Sequence, residues 1–168
     1  MNPLFQNPVH KQILDSLFEF IPYKNERLRI LDTGSGRTSL YYLCKRFSNS
    51  RVDAVVYPGD TRKIKGIKSD VPFDNYKLIE MDIMNFKEEG IYDIILAHLF
   101  LGESSKFMPY KSTEMVDRLL EIPSNYLVIV DIEEDKDVDW NRVKQKIEFS
   151  RKIIAQDKIA KYAGFVAE

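Results

Sequence analysis

The residues of this 168-residue chain that could do chemistry stand at the ends of short apolar runs. The run Leu28–Thr33 carries Asp32 and leads into Gly34, Ser35 and Gly36, and an apolar-periodic segment without Pro or Gly follows. Strand, tight glycine turn and helix start, in that order, build a nucleotide-type pocket. A residue without Cβ lets backbone come close to a ligand in such a turn. Asp32 places a carboxylate where a phosphate-binding loop would avoid one; it repels a pyrophosphate and suits the ammonium of an amino-acid moiety. Three more candidates follow later runs: Asp60 after Tyr57-Pro58-Gly59, Asp82 after Tyr76–Met81, and His98 after Tyr92–Leu96. His98 titrates near neutrality and fits a general base, or a structural histidine at a strand end.

Positioning these residues requires a set of strands whose ends converge. Apolar runs at Leu28–Thr33, Val52–Tyr57, Tyr76–Met81, Tyr92–Leu96 and Tyr126–Ile132 read as five strands. Helical periodicity falls at Val9–Phe20, Thr38–Phe47 and Ser112–Glu121, with a long last helix from about Val138 to Ala155. The segment between Gly59 and Tyr76 is basic and poorly patterned, and reads as a connection. Runs such as Ile94-Ile95-Leu96 and Leu127-Val128-Ile129-Val130 are continuously apolar, as strands buried on both faces should be. Strands alternating with helices predict an α/β fold, a three-layer Rossmann-like domain over 1–168 with a mostly parallel sheet of five or more strands. Ligands in such sheets sit beyond the carboxyl ends of the strands, at the topological switch point. That is where every candidate above lies.

The series of strand ends resembles the class I S-adenosylmethionine-dependent methyltransferases. The family's acidic-x-Gly-x-Gly-x-Gly motif is similar to Asp32-Thr33-Gly34-Ser35-Gly36-Arg37-Thr38, and Tyr92-Asp93-Ile94-Ile95-Leu96 looks like its fourth strand. The resemblance spans about residues 9 to 155. It implies S-adenosyl-L-methionine as cofactor, with Gly34, Ser35 and Gly36 beside it and Asp32 steering its ammonium. It implies that Asp82 contacts the adenine amino group; Asp82 also fits a local cap. His98, and with less support His10, falls where acceptor-facing residues sit, and Glu103 and Tyr110 are further acceptor contacts to consider.

The chain departs from the family pattern at three places. Thr38 replaces the last glycine. Val56-Tyr57 stand where a carboxylate ordinarily binds the ribose hydroxyls, leaving Asp60 as substitute or as a turn residue. The tail Lys158–Glu168 reads as one short edge strand, so the family's C-terminal hairpin is expected to be reduced or absent. An exposed sheet edge would then favour pairing with a second copy or a partner subunit. These departures sustain an alternative: a non-catalytic binding module, or the partner subunit of an active enzyme. A dinucleotide-dependent dehydrogenase fits less well, because Ser39 stands at the third glycine position and Asp32 opposes a pyrophosphate.

Bulk properties narrow the classes. A net charge of -1 gives no global attraction to nucleic acid or anionic membrane. The single cysteine excludes an intrachain disulfide and favours a reducing compartment. No apolar run approaches the ~20 residues of a membrane span, and the N-terminus lacks a signal-like pattern, so a cytoplasmic location is expected. No metal-ligand cluster stands out. Basic residues gather at Arg62–Lys68 and along the last helix, either as a phosphate-binding stripe or as a solvated face. The methyl acceptor (small molecule, protein or RNA) stays open at this level.

Overall fold

The computed structural model describes residues 7–24 and 26–168. Met1–Gln6 and Asn25 lie outside them, and with them most of the stretch read against a signal. The chain runs α1 (Pro8–Phe18), β1 (Arg29–Thr33), α2 (Arg37–Arg46), β2 (Arg51–Val56), α3 (Thr61–Asp70) and β3 (Tyr76–Glu80). A single 3-10 turn at Ile83–Asn85 precedes β4 (Tyr92–His98), α4 (Phe100–Phe107), α5 (Ser112–Glu121), β5 (Ser124–Ile132), α6 (Trp140–Ser150), β6 (Ile153–Ile159) and β7 (Tyr162–Ala167). The strands form one sheet in the order β3-β2-β1-β4-β5-β7-β6. The first five are parallel, while β7 runs antiparallel to both β5 and β6.

Successive β1 side chains go to opposite faces, and both faces are covered. Ile30 packs with Ile13, Leu14, Leu40 and Leu43 in the layer of α1 and α2. Leu31 joins Met115, Val116, Leu119 and Ile147 in the layer of α5 and α6. This two-sided burial accounts for the continuous apolar runs. Local signals set several helix starts: Asn7, Asp60 and Asp139 each accept a backbone N–H in the first turn that follows.

The expected α/β architecture is observed, with three corrections. The segment after Gly59 is the helix α3, not a connection; only Ile67 is buried in it, so its apolar stripe is too thin to read. The stretch after β4 is also helical. Helix α4 starts from Leu99 in the left-handed region, with no side-chain cap of its own. The carboxylate of Asp131 on β5 replaces that cap, accepting from Leu101 N at 2.9 Å and Gly102 N at 3.1 Å. The third correction concerns the C-terminal hairpin expected to be reduced or absent: it is complete. Helix α6 stops at Ser150, and β6 and β7 follow. Their turn is Ala160-Lys161, with Ala160 at φ 55, and it lacks the Asn or Gly that marks such turns in sequence. The β5 edge thought to invite a subunit contact is therefore covered by β7, and the outer strands are β3 and β6.

Gly164 makes the docking of β7 possible. A Cβ there would lie 2.6 Å from the Ile129 carbonyl and 2.7 Å from a Leu17 methyl. Gly164→Ala is expected to lower stability by about 1–3 kcal/mol, the usual cost of overpacking a well-filled core. Urea denaturation measures this, and an unchanged midpoint would mean that β7 is not seated as described.

Candidate ligand cavity

Strand β1 lies between β2 and β4, and the connections after β1 and β4 leave on opposite faces of the sheet, to α2 and to α4. The crevice this opens is a cavity of about 790 Å³, within the usual size range of small-molecule sites. Gly34, Gly36 and Thr38 line it from the first turn, Tyr57 and Asp60 from the end of β2, Lys63 from α3, and His98 and Glu103 from β4 and α4. His10 of α1 closes one side.

The two glycines have different tasks. Gly34, at φ +62, lies under the Phe100 ring, and a Cβ there would come 2.2 Å from a ring carbon. Gly36 has nothing within 4 Å of the equivalent point, so its missing side chain leaves space in the cavity itself. Beneath the turn, Asp32 is fully buried. Its Oδ2 accepts from Ser35 Oγ and, at 2.8 Å, from Ser39 Oγ, which ties the end of β1 to the first turn of α2. Its Oδ1 has no hydrogen-bond partner among the described residues. Burial drives the Asp32 pKa up to about 7, with the two serines and Lys63 opposing the rise. Asp32 and Ser35 thus shape the turn from below and do not line the cavity.

The structure also places the other expected residues. Asp60 borders the cavity, but its side chain caps α3 through Lys63 N at 3.1 Å. Asp82 lies outside the cavity lining. It caps the 3-10 turn through Met84 N at 3.0 Å and accepts from the Tyr110 hydroxyl at 2.6 Å. His98, the last residue of β4, lies at the cavity and is 7% exposed, at the strand end where the sequence puts it.

Two arrangements went unseen in the sequence. His10 Nδ1 and His98 Nε2 share a hydrogen bond of 2.9 Å, with the rings edge to face. Burial lowers the pKa of both, His98 to about 3, so the pair is neutral at physiological pH. His98 Nδ1 has no partner among the described residues. Lys63 reaches across the crevice, donating to the Gly34 carbonyl at 3.1 Å and to the Glu103 carboxylate. Only the tertiary fold brings these side chains together. By contrast, several cations at the C-terminal end are occupied elsewhere: Lys146 pairs with Asp117, Lys144 with Glu148, and Lys158 with Glu133. That distribution is a solvated, ion-paired face.

The architecture is the Rossmann-like one of S-adenosylmethionine-dependent methyltransferases. A SAM-dependent methyltransferase from Aquifex aeolicus superposes with a TM-score of 0.68, at 16% identity, over 95% of this chain and 96% of that one. The N-methyltransferase NodS from Bradyrhizobium japonicum, in complex with S-adenosyl-l-homocysteine, gives 0.66 at 12% identity over 99% and 87%. A TehB-like SAM-dependent methyltransferase from Corynebacterium glutamicum gives 0.64 at 16% over 95% and 86%. No protein-family model and no curated sequence matches the chain.

The raised pKa of Asp32 has a consequence for stability. Between the ordinary carboxylate value and about 7, the folded chain keeps a proton that the unfolded chain loses, so this group lowers stability as pH rises through that window. The lowered His98 value acts oppositely between about 3 and 6.5, which makes the comparison with a variant necessary. Relative to the unmodified protein, Asp32→Asn should gain stability as pH rises from 5 to 8, by on the order of a few kcal/mol. Urea midpoints at the two pH values would show it; a constant difference between the two proteins would contradict the raised value.

Proposed function

We propose that the chain is an S-adenosylmethionine-dependent methyltransferase whose cofactor lies along the turn Gly34–Gly36, with the methyl acceptor beside His98. The carrying observation is the cavity at the carboxyl ends of β1 and β4, in the fold shared with those enzymes. The residues present fit the cofactor. Gly36 leaves open space that a Cβ would enter, Tyr57 and Asp60 border the far side, and Phe107, 79% exposed, offers an apolar face at the rim. When bound, the cofactor supplies an electrophilic methyl group on a sulfonium.

The chain's part is alignment, exclusion of water and proton handling. Gly36 and Tyr57 bound the cofactor's bed, while His98 at the cavity wall orients a protic acceptor. With the shared proton on His98 Nε2, its Nδ1 carries a lone pair that accepts a hydrogen bond from the acceptor. A weakly basic imidazole suffices for this, because an acceptor's proton becomes more acidic as the new bond to methyl forms. Neutrality matters as well, since an imidazolium would repel the sulfonium. The acceptor is a protic nucleophile of unidentified class, and a location in the cytoplasm agrees with this chemistry. Asp82 keeps lone pairs for the adenine amino group beside its bonds from Met84 N and Tyr110, but it lies outside the cavity lining and serves there only if it moves toward the cofactor.

Two observations favour a second reading, a binding module without turnover: the end of β2 lacks a ribose-binding carboxylate, and Lys63 spans the cavity. Calorimetric titration with S-adenosylhomocysteine tests what both readings share. Saturable heat is expected; none at millimolar ligand, in folded protein, would sink both. Gly36→Val should fold normally and bind roughly tenfold or more weakly, whereas unchanged affinity would move the bed elsewhere.

His98 separates the two readings. Once an acceptor is in hand, His98→Ala should lower turnover by roughly 100-fold while S-adenosylhomocysteine affinity stays within about twofold. Circular dichroism and melting check that the variant is folded. A folded variant with full turnover would remove His98 from the mechanism.

A further inference from the structure

An ammonium group is already seated in the cavity. Lys63 leaves the first turn of α3, crosses the crevice and ends on the Gly34 carbonyl and the Glu103 carboxylate. It therefore joins the helices α3 and α4 to the turn after β1, on which the cofactor is proposed to lie. A carbonyl and a carboxylate converging on one point make a good receptor for a primary ammonium, because charge-assisted hydrogen bonds are about twice as strong as neutral ones. Lys63 is not on the surface merely by habit: its side chain is 21% exposed, with Glu103 at 34%.

The acidic residue that the sequence suggests for this task is badly placed for it. Asp32 is fully buried, its Oδ2 is taken by two serine hydroxyls, and it does not line the cavity. The unpartnered Oδ1 lies below the turn, with no surface of its own. A ligand ammonium approaching Gly34 from the cavity meets the carbonyl and Glu103 first.

Resting on the cofactor reading above, we infer that the Gly34 carbonyl and the Glu103 carboxylate form the receptor for the cofactor's α-ammonium, and that Lys63 fills this receptor until the cofactor displaces it. The ε-ammonium of Lys63 and the α-ammonium of an amino acid are the same chemical group, so the two compete for one position. Competition lowers apparent affinity by the fraction of molecules in which the lysine is out of the way. Glu103 becomes a cofactor-binding residue, and Lys63 sets the cofactor concentration at which the site fills.

Two nucleoside probes separate the ammonium from the rest of the ligand. S-adenosyl-3-thiopropylamine keeps the amine and lacks the carboxylate, so Lys63 can gain no partner from it; 5′-methylthioadenosine lacks both groups. Calorimetry compares the unmodified protein, Lys63→Met and the double variant Lys63→Met/Glu103→Gln. Lys63→Met should bind the amine probe roughly tenfold more tightly, and Glu103→Gln on that background should abolish the gain. Methylthioadenosine affinity should stay within about twofold throughout. Equal responses of the two probes, or amine binding that is unchanged or weaker in Lys63→Met, would overturn the assignment while leaving the cofactor reading in place. Failure of all three proteins to bind either probe or S-adenosylhomocysteine would overturn both.

Discussion

The cavity exists because the chain leaves β1 on one side of the sheet and β4 on the other, and a buried carboxylate holds the first of these departures in shape. Asp32 binds Ser35 in the turn and Ser39 in the opening of α2 through one oxygen. Ser35 in turn donates its backbone N–H to the Val55 carbonyl of β2. The turn is therefore fastened both beneath itself and to the neighbouring strand. Gly34 can then pass under the Phe100 ring, where the left-handed backbone and the lack of a Cβ are both required. A fully buried carboxylate with one unpaired oxygen is an expensive fastening, and the upward pressure on its pKa records that cost.

Several ionisable groups inside the crevice are engaged with one another, and Arg37 and Arg62 line it as well. The histidine pair is neutral because both rings are partly or wholly withdrawn from water. Lys63 and Glu103 cancel each other across the opening, and Asp60 spends its side chain on capping α3.

The legible parts of the fold were those with local causes. The Asp-x-Gly-x-Gly turn and the doubly buried strands are both visible in short windows. The helix α4 was not, because its cap is Asp131, a residue some thirty positions away on β5. The hairpin was not, because an Ala-Lys turn with Ala160 at positive φ carries no turn signature, while β6 reads Ile-Ile-Ala-Gln-Asp-Lys-Ile, with no period-two alternation to mark a strand. Within the site, Gly36 and His98 could be placed from strand ends alone. The partnership of His98 with His10, 88 positions apart, could not.

The amino-acid sequence by itself determined the order of the first five strands and of the helices α1, α2, α5 and α6, the glycine turn after the first strand, and the end of the sheet at which the cavity lies. These follow from periodicity, burial and backbone freedom, which act over a few residues. Tertiary structure alone decided which polar groups meet there. It turned Asp32 inward as a support, set Asp82 against Tyr110, joined the two histidines and drew Lys63 across to Gly34 and Glu103. Side-chain partnership depends on how separate layers pack against one sheet, and no window of local sequence contains that distance.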